Sequence, residues 1–115
     1  MHASTKTVAF RGIDTIPVEV HVYVANGLPA MAIVGLVDKA VAESRERVRA
    51  ALRPPKQIAI NLAPADVVKE GAHYDLPIAV GLLVAIGTVP ADAVDGAFVL
   101  GELSLHRGIE PVLSE

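Results

Sequence analysis

The apolar run from Leu76 to Ile86 constrains the fold more than any other feature of the sequence. It follows Asp75 directly and contains no charged residue. Its length and composition predict a helix that is apolar on every face, and such a helix must be covered by protein. It is too short to cross a bilayer, which takes about 20 apolar residues. The rest of the chain is therefore expected to form layers around this helix.

The composition determines which side chains can fill the core. Apolar residues make up 52% of the 115 residues, but aromatic residues only 3%. The core must consist of Val, Ile, Leu and Ala, which suit the packing of helices on a sheet. A chain of this length fits one domain with one core. We therefore predict a single α/β or α+β domain over residues 1–115.

Strand patterns occupy the first third of the chain. Val18, Val20, Val22 and Val24 alternate with polar residues, as in a half-buried strand. A first strand is predicted over Thr5–Phe10. The apolar segment Ala30–Val34 is predicted to be an interior strand that pairs with the valine strand, through a tight turn at Asn26-Gly27.

Further strands are predicted after the first helix. Ile58–Leu62 and Ala97–Leu100 have the composition of short strands. The segment from Gly101 to Val112 is predicted to form a hairpin that turns near Arg107-Gly108. The total is five or six strands and two helices.

The first helix is predicted to begin after the cap residue Asp38 and to end near Leu52, before Pro54-Pro55. Its apolar face is expected to contain Val41, Val48 and Leu52, with Ala51 beside them. The opposite, exposed face is expected to carry the charged residues Glu43, Arg45, Glu46, Arg47 and Arg49.

A set of motifs points to one family. NGLPA, SRERVRAAL, NLAPAD, KEG, DLPIA and GELSL follow one another between residues 12 and 112. In these motifs the chain closely resembles the N-terminal domain of the Mg-chelatase-like AAA+ ATPases of the ComM/YifB type. Members of that family are similar in this region to the proteolytic domain of Lon. The resemblance implies a ribosomal-S5-domain-2-like α/β fold, with one layer of sheet and two main helices.

The chain departs from the family pattern in two places. Family members usually have several more residues between Arg53 and Pro54, and they continue beyond the segment that matches Val112 into an ATPase module. Either the loop after Arg53 is shortened, or a piece of it is absent from this sequence. The resemblance implies that the chain is a fragment of a longer AAA+ ATPase.

The similarity to Lon bears on catalysis through Ile78. In Lon-type proteases a serine nucleophile lies at the start of the helix that corresponds to DLPIA, and a downstream lysine activates it. Matching the two segments places Ile78 at that serine, and no lysine follows Lys69. A hydrocarbon side chain cannot attack a carbonyl group. The resemblance therefore implies a domain without catalytic residues.

Two other classes stay open. A serine–lysine peptidase of the Lon type would require a shifted match, with Ser44 or Ser104 as the nucleophile, and Ser44 is expected to be poorly exposed in the middle of a helix. An S5-like RNA-binding module would require a salt-dependent affinity for structured RNA.

No cofactor is expected in this part of the protein. A phosphate-binding loop needs Gly-x4-Gly-Lys-Ser/Thr between a strand and a helix, and the sequence contains no such motif. The resemblance implies that ATP and Mg²⁺ bind in the ATPase module.

The other polar residues suggest structural roles. The four histidines lack the spacing of a metal site, and His73 is expected to be solvated. Asp75 is expected to cap the second helix. Asp66, Lys69 and Glu70 are expected to form a solvated turn. No metal site is predicted.

Three arginines are the best candidates for an intermolecular contact. Arg45, Arg49 and Arg53 follow one another at four-residue steps, so they line one face of the first helix and could bind phosphates of DNA or a partner. The alternative is an exposed face stabilised by ion pairs with Glu43 and Glu46.

The net charge and the N-terminal sequence lead to expectations about binding partners and cellular location. A net charge of −3 argues against a domain that is basic all over, and the absence of cysteine excludes disulfides and thiolate zinc sites. No signal peptide is recognised at the N-terminus, so a cytoplasmic location is expected. The resemblance implies a parent that hydrolyses ATP as a ring and, in the competence branch, drives branch migration on DNA. Expected partners are its own AAA+ module, sister subunits and DNA.

Overall fold

A four-stranded sheet with two helices on one face forms the core of this computed structural model, which describes residues 1–54, 56–103 and 109–110. The main elements, in chain order, are β1 (His2–Arg11), β2 (Asp14–Ala25), β3 (Ala30–Val34), α1 (Lys39–Leu52), β4 (Gln57–Ala63) and α2 (Asp75–Ala85). A 3₁₀ helix (Ala91–Val94) and the short strands β5 (Glu102–Leu103) and β6 (Ile109–Glu110) follow. The predicted mixed α/β class is confirmed.

The valine strand lies inside the sheet, as its pattern predicts. The order of strands is β1-β2-β4-β3, so β2 has a partner on each side. Val18, Val20 and Val22 are fully buried beneath the helices, and the residues between them point to the other face. β1 runs antiparallel to β2 and is longer than predicted, because it begins at His2.

The predicted place of β3 is wrong. β3 pairs with β4 in parallel and does not pair with β2, so it is an edge strand of the sheet. The register aligns Ala32 with Ala59, and β2 meets the opposite side of β4. The loop after β2 therefore passes over the position of β4, and the crossover through α1 brings the chain back to that position between β2 and β3. The segment Ala30–Val34 is apolar on both faces although it is an edge strand. Its solvent face carries the exposed residues Ala30, Ala32 and Val34.

α1 has the predicted bounds. The Asp38 carboxylate accepts a hydrogen bond from the Val41 amide at 2.9 Å, which caps the helix. Val41 and Val48 are fully buried, but Ala51 is exposed, contrary to expectation. The helix ends at Leu52, and its C-cap residue Arg53 adopts the left-handed conformation with φ 45°.

α2 is covered by protein, as its apolar sequence requires. It packs on β1 and β2, and Ile78 and Leu82 are fully buried. Gly81 allows the close approach to the sheet, since a Cβ at this position would lie 2.9 Å from Cγ2 of Val22. Within the described ranges, neither helix is long and apolar enough to span a membrane.

The last part of the chain matches the predictions only in part. β5 and β6 pair antiparallel, which confirms the hairpin, while its predicted turn near Arg107-Gly108 lies outside the described residues. The predicted strand Ala97–Leu100 is wrong. This segment makes one bridge to the edge of β1, in which the Val99 amide donates to the Lys6 carbonyl at 2.8 Å.

Candidate functional site

Ile78 lies in the first turn of α2, with its side chain fully buried in the core. On the sheet beneath this turn, the Thr5 hydroxyl donates a hydrogen bond to the Pro77 carbonyl at 2.8 Å. A substrate cannot reach this position without separating α2 from the sheet. The match between Ile78 and the Lon serine stays a prediction, but the site it designates is part of the hydrophobic core.

Ser44, the first alternative nucleophile, is also fully buried. It faces inward from α1, and its hydroxyl donates a hydrogen bond to the Asp75 carboxylate. A serine in this position is a structural hydrogen-bond donor, because its proton is already shared with an acceptor that a guanidinium holds in place. The expected poor exposure of Ser44 is confirmed. Ser104, the second alternative, lies outside the described residues.

Asp75 is the centre of a buried polar network, which we call the Asp75 network: Asp75, Ser44, Arg47 and the backbone amide of Leu103. Asp75 is fully buried. Its Oδ2 lies 2.5 Å from Nε of Arg47, and its Oδ1 lies 3.1 Å from Nη2 of the same guanidinium. The Leu103 amide donates to Oδ2 at 3.0 Å. The carboxylate thus connects α1, the start of α2 and β5.

Two predictions about these residues are wrong. Asp75 is the first residue of α2 and does not cap it; Tyr74 occupies the cap position and makes no side-chain capping bond. Arg47 does not belong to the exposed face of α1, because its side chain is only 13% exposed. Its Nη2 also donates to the Ala40 carbonyl at 2.8 Å. The hydrogen bond with Asp75 raises the pKa of Arg47 despite the opposing effect of burial, so the guanidinium keeps its charge.

The loop before α2 is only partly the solvated turn that was expected. Asp66 and Glu70 are exposed, but Lys69 is fully buried, and its Nζ donates to the Pro64 carbonyl. The backbone of Lys69 is bonded on both sides to the segment before α1, through the Leu36 carbonyl at 2.7 Å and the Asp38 amide at 3.0 Å. Burial lowers the pKa of Lys69. This lysine fastens the loop and is not available to a ligand.

His73 is buried, so the expectation of a solvated side chain is wrong. Its Nε2 lies 2.7 Å from the Val8 carbonyl oxygen and therefore carries the donated proton. The ring packs against Tyr74 and meets the edge of Phe10, with centroid separations of 4.1 and 5.1 Å. Burial lowers the pKa of His73. Among the residues that the structure describes, no three His, Asp or Glu side chains converge as metal ligands.

The arginine stripe, defined as Arg45 and Arg49 on α1 and Arg53 at its C-cap, is exposed. Nε of Arg45 lies 3.5 Å from Oε1 of Glu46, so this arginine is partly neutralised. Arg49 and Arg53 line a groove of about 430 Å³ together with Ala50. The structure thus exposes all three arginines, of which Arg49 and Arg53 line the same groove. Whether they bind DNA or a partner stays a prediction.

Sequence reasoning missed the Asp75 network. One signal was present: Ser44 and Arg47 are three residues apart, so they share a helix face, and Asp75 is the one charge that adjoins the apolar run. What periodicity could not supply is the placement of these two segments next to each other.

Removing the charge of Asp75 tests the network. Asp75→Asn should lower the free energy of unfolding by about 3–5 kcal/mol, because it leaves the Arg47 guanidinium buried without its counter-charge. Glu43→Gln is the matched control, since Glu43 also lies near Arg47, at 3.9 Å, but is half exposed. It should cost less than about 0.5 kcal/mol. Urea denaturation at pH 7.5 measures both, and equal costs would contradict the assignment.

Acid should destabilise the fold through His73. Its folded pKa lies below its unfolded value of about 6.5, so the unfolded state binds a proton that the folded state resists. Stability should therefore fall as the pH drops below about 6.5. His73→Gln keeps a side-chain donor for Val8 and cannot titrate.

Urea denaturation of both proteins from pH 8 to pH 5 checks this. The stability of the wild type should fall more steeply than that of His73→Gln below about pH 6.5, and the two slopes should agree above it. Parallel curves over the whole range would contradict the role of His73.

Known proteins are similar to this chain over most of its length. A family model described as subunit ChlI of Mg-chelatase matches residues 18–114. The chain is 42% identical to the uncharacterized protein YifB of Salmonella typhimurium over 97% of its own length, and 43% identical to YifB of Escherichia coli over 94%. It is 40% identical to the competence protein ComM of Haemophilus influenzae over 91%.

The lengths of these relatives differ from that of the chain. The chain spans about a quarter of their length, 24% for YifB of Salmonella and 22% for ComM. The alignment with YifB of Salmonella covers 121 positions, more than the 115 residues of the chain, so that relative contains residues with no counterpart here. The chain belongs to the family of the ChlI subunit of Mg-chelatase, as a Mg-chelatase-like protein of the ComM/YifB type.

Proposed function

We propose that this chain is the non-catalytic N-terminal domain of a longer Mg-chelatase-like AAA+ ATPase, in which it serves as a scaffold or interaction module. The observation that carries the proposal is the burial of Ile78 and Ser44, the two described positions that a serine nucleophile was considered for. A nucleophile must meet its substrate within about 3–3.5 Å, and neither position is open to one.

Family membership supports the remainder of the proposal. The chain corresponds to about a quarter of its relatives, so most of a full-length member lies outside it. In that larger part we place the ATPase module, with its ATP and Mg²⁺. The lack of a phosphate-binding loop in the sequence supports this placement.

The proposal for the parent's activity rests on the family resemblance alone. We propose an ATP-dependent ring that acts on DNA in the cytoplasm, of the branch-migration type in the competence branch. The name of the Haemophilus relative, competence protein ComM, supports a link with competence for that protein. Sister subunits and the parent's own ATPase module are the proposed partners of this domain.

A scaffold domain must keep its structure when other molecules bind to it, and the Asp75 network stabilises that structure. A charged pair with several hydrogen bonds fixes the relative position of α1, α2 and β5, because any shift would leave a buried charge unpaired. The arginine stripe then lies on a helix that is fixed to the core. A partner that binds at this helix would therefore be held by the domain as one rigid unit.

Labelling with a fluorophosphonate probe tests the non-catalytic assignment. The intact chain should form no adduct, as measured by mass spectrometry, because an unactivated hydroxyl does not react with the probe. A known serine hydrolase in the same reaction is the positive control. A stoichiometric adduct that disappears in Ser44→Ala or in Ser104→Ala would show an active nucleophile, and the peptidase alternative would replace the scaffold.

A further inference from the structure

We propose that His2 and His21 form a two-histidine binding site for a divalent transition-metal ion of the Zn²⁺ type, on the face of the sheet that the helices leave open. The site goes beyond the proposed scaffold role and does not depend on it. Three features support it: the separation of two ring nitrogens, the groups that hold both rings in place, and the preference of such ions for imidazole ligands.

The pairing of β1 with β2 brings the two histidines together, although they are 19 residues apart in the sequence. In the antiparallel register His2 pairs with Tyr23 and Ser4 pairs with His21, so the histidines are diagonal neighbours on one face of the sheet. The opposite face is the one on which Val22 is buried beneath the helices. His2 is exposed and the side chain of His21 is 24% exposed, so an ion can reach both rings from solvent.

The two rings present nitrogen atoms to each other. Nε2 of His2 lies 3.3 Å from Nδ1 of His21, and the ring centroids are 5.5 Å apart, so these nitrogens lie between the ring centres. Two nitrogens that bind one Zn²⁺ at tetrahedral positions are about 3.3–3.4 Å apart, because each Zn–N bond is about 2.0–2.1 Å long. The two nitrogens therefore already have the separation of ligands to one ion. A small rotation of each ring would direct both lone pairs at it.

Glu19 determines which nitrogen of His21 is free. Its Oε2 lies 3.0 Å from Nε2 of His21, and a carboxylate only accepts hydrogen bonds, so the neutral ring carries its proton on Nε2. Nδ1 then keeps its lone pair on the side of His2. Metal-binding histidines almost always donate their second ring nitrogen to such an acceptor, which orients the ring and makes it more basic. Glu19 is thus a positioning residue for His21.

His2 is oriented by Tyr23, whose ring stacks on it with a centroid separation of 4.6 Å. Because Nδ1 of His21 is an acceptor, Nε2 of His2 donates the hydrogen bond between the two rings. When an ion binds, this proton moves through solvent to Nδ1 of His2, and both facing nitrogens then present lone pairs. Both rings stay neutral, and the ion takes the place of the shared proton.

The chemistry of the two ligands selects the kind of ion. Imidazole nitrogen suits Zn²⁺, Cu²⁺ and Ni²⁺, whereas Mg²⁺ and Ca²⁺ prefer oxygen ligands. The part of the chain that the structure describes supplies no third His, Asp or Glu ligand, so water completes the coordination. Such a site is weaker than a structural zinc site with four protein ligands, and its ion exchanges with solvent. A bound ion would link β1, at the edge of the sheet, to β2.

Isothermal titration of the intact chain with ZnCl₂ tests the site. One Zn²⁺ should bind per chain, and an excess of MgCl₂ should not compete. His2→Gln and His21→Gln should each weaken the affinity by at least about 10-fold, because each removes one of the two ligands. Glu19→Ala should weaken it by about 10-fold through the loss of the acceptor that orients His21.

Imidazole ¹H–¹⁵N spectra separate a positioning role of Glu19 from a general structural one. In Glu19→Ala the proton of His21 should be distributed over both ring nitrogens, while in the wild type it should reside on Nε2. Zn²⁺ should shift the ring resonances of His2 and His21 in the wild type. An unchanged tautomer in Glu19→Ala would contradict the positioning role.

His73→Gln is the matched control, since it removes an imidazole that is buried and bonded to the Val8 carbonyl. It should leave the Zn²⁺ affinity unchanged, and circular dichroism verifies that every variant folds. A wild type that binds no Zn²⁺ stoichiometrically, or an affinity that is the same in both single histidine variants as in the wild type, would overturn the site.

The N-terminal amine is the competing ligand for an ion at His2. In the structure this amine donates to the Val24 carbonyl at 3.0 Å, so it is already bonded within the sheet. The two ligand sets make different predictions for His21→Gln. Zn²⁺ binding that is lost in His2→Gln but kept in His21→Gln would place the ion on the amine of Met1 and overturn the cross-strand site, whereas loss in both variants supports it.

Discussion

The Asp75 carboxylate, at the start of α2, holds the domain together, since it is fully buried and receives hydrogen bonds from two other parts of the chain, α1 and β5. Ionic groups in a core cost free energy unless their partners satisfy them completely. Here the guanidinium of Arg47 supplies the opposite charge, and Ser44 and the Leu103 amide occupy other acceptor positions. Because these hydrogen bonds are directional and must all be made, they fix the positions of the two helices and the start of β5 relative to one another. Apolar contacts are not directional and would not specify these positions.

The Asp75 network explains why the start of α2, where a catalytic residue could be expected, has a structural role. The start of α2 is where a nucleophile is expected from the resemblance to Lon, and there the chain has Ile78 in the core and Asp75 paired with Arg47. Residues of the types used in catalysis, such as Ser44, Lys69 and His73, are all buried and bonded to other groups of the domain. Arg45, Arg49 and Arg53, by contrast, are exposed at the surface of the domain.

Short-range patterns predicted the elements well and their arrangement less well. The alternation of Val18 to Val24 and the charge-free run after Asp75 identified β2 and α2, because periodicity reports directly which side of an element is buried. The position of β3 in the sheet was predicted wrongly. Because β2 and β3 are adjacent in sequence, a hairpin was expected, but β4, which comes later in the chain, lies between them. Asp75, Arg47, Lys69 and His73 were missed for a related reason. The burial of a polar group depends on a partner from another segment, and no local pattern identifies that partner.

A double-mutant cycle between Arg47 and Asp75 tests the central claim most directly. Unfolding free energies are compared for the wild type, Arg47→Met, Asp75→Leu and the double variant, in which two apolar side chains replace the pair. Because each single change leaves one charge unpaired, we predict a coupling energy of at least about 2 kcal/mol and a double variant that is more stable than either single one. A coupling energy below about 0.5 kcal/mol would mean that the pair acts as two independent residues, and the account of the Asp75 network would be wrong.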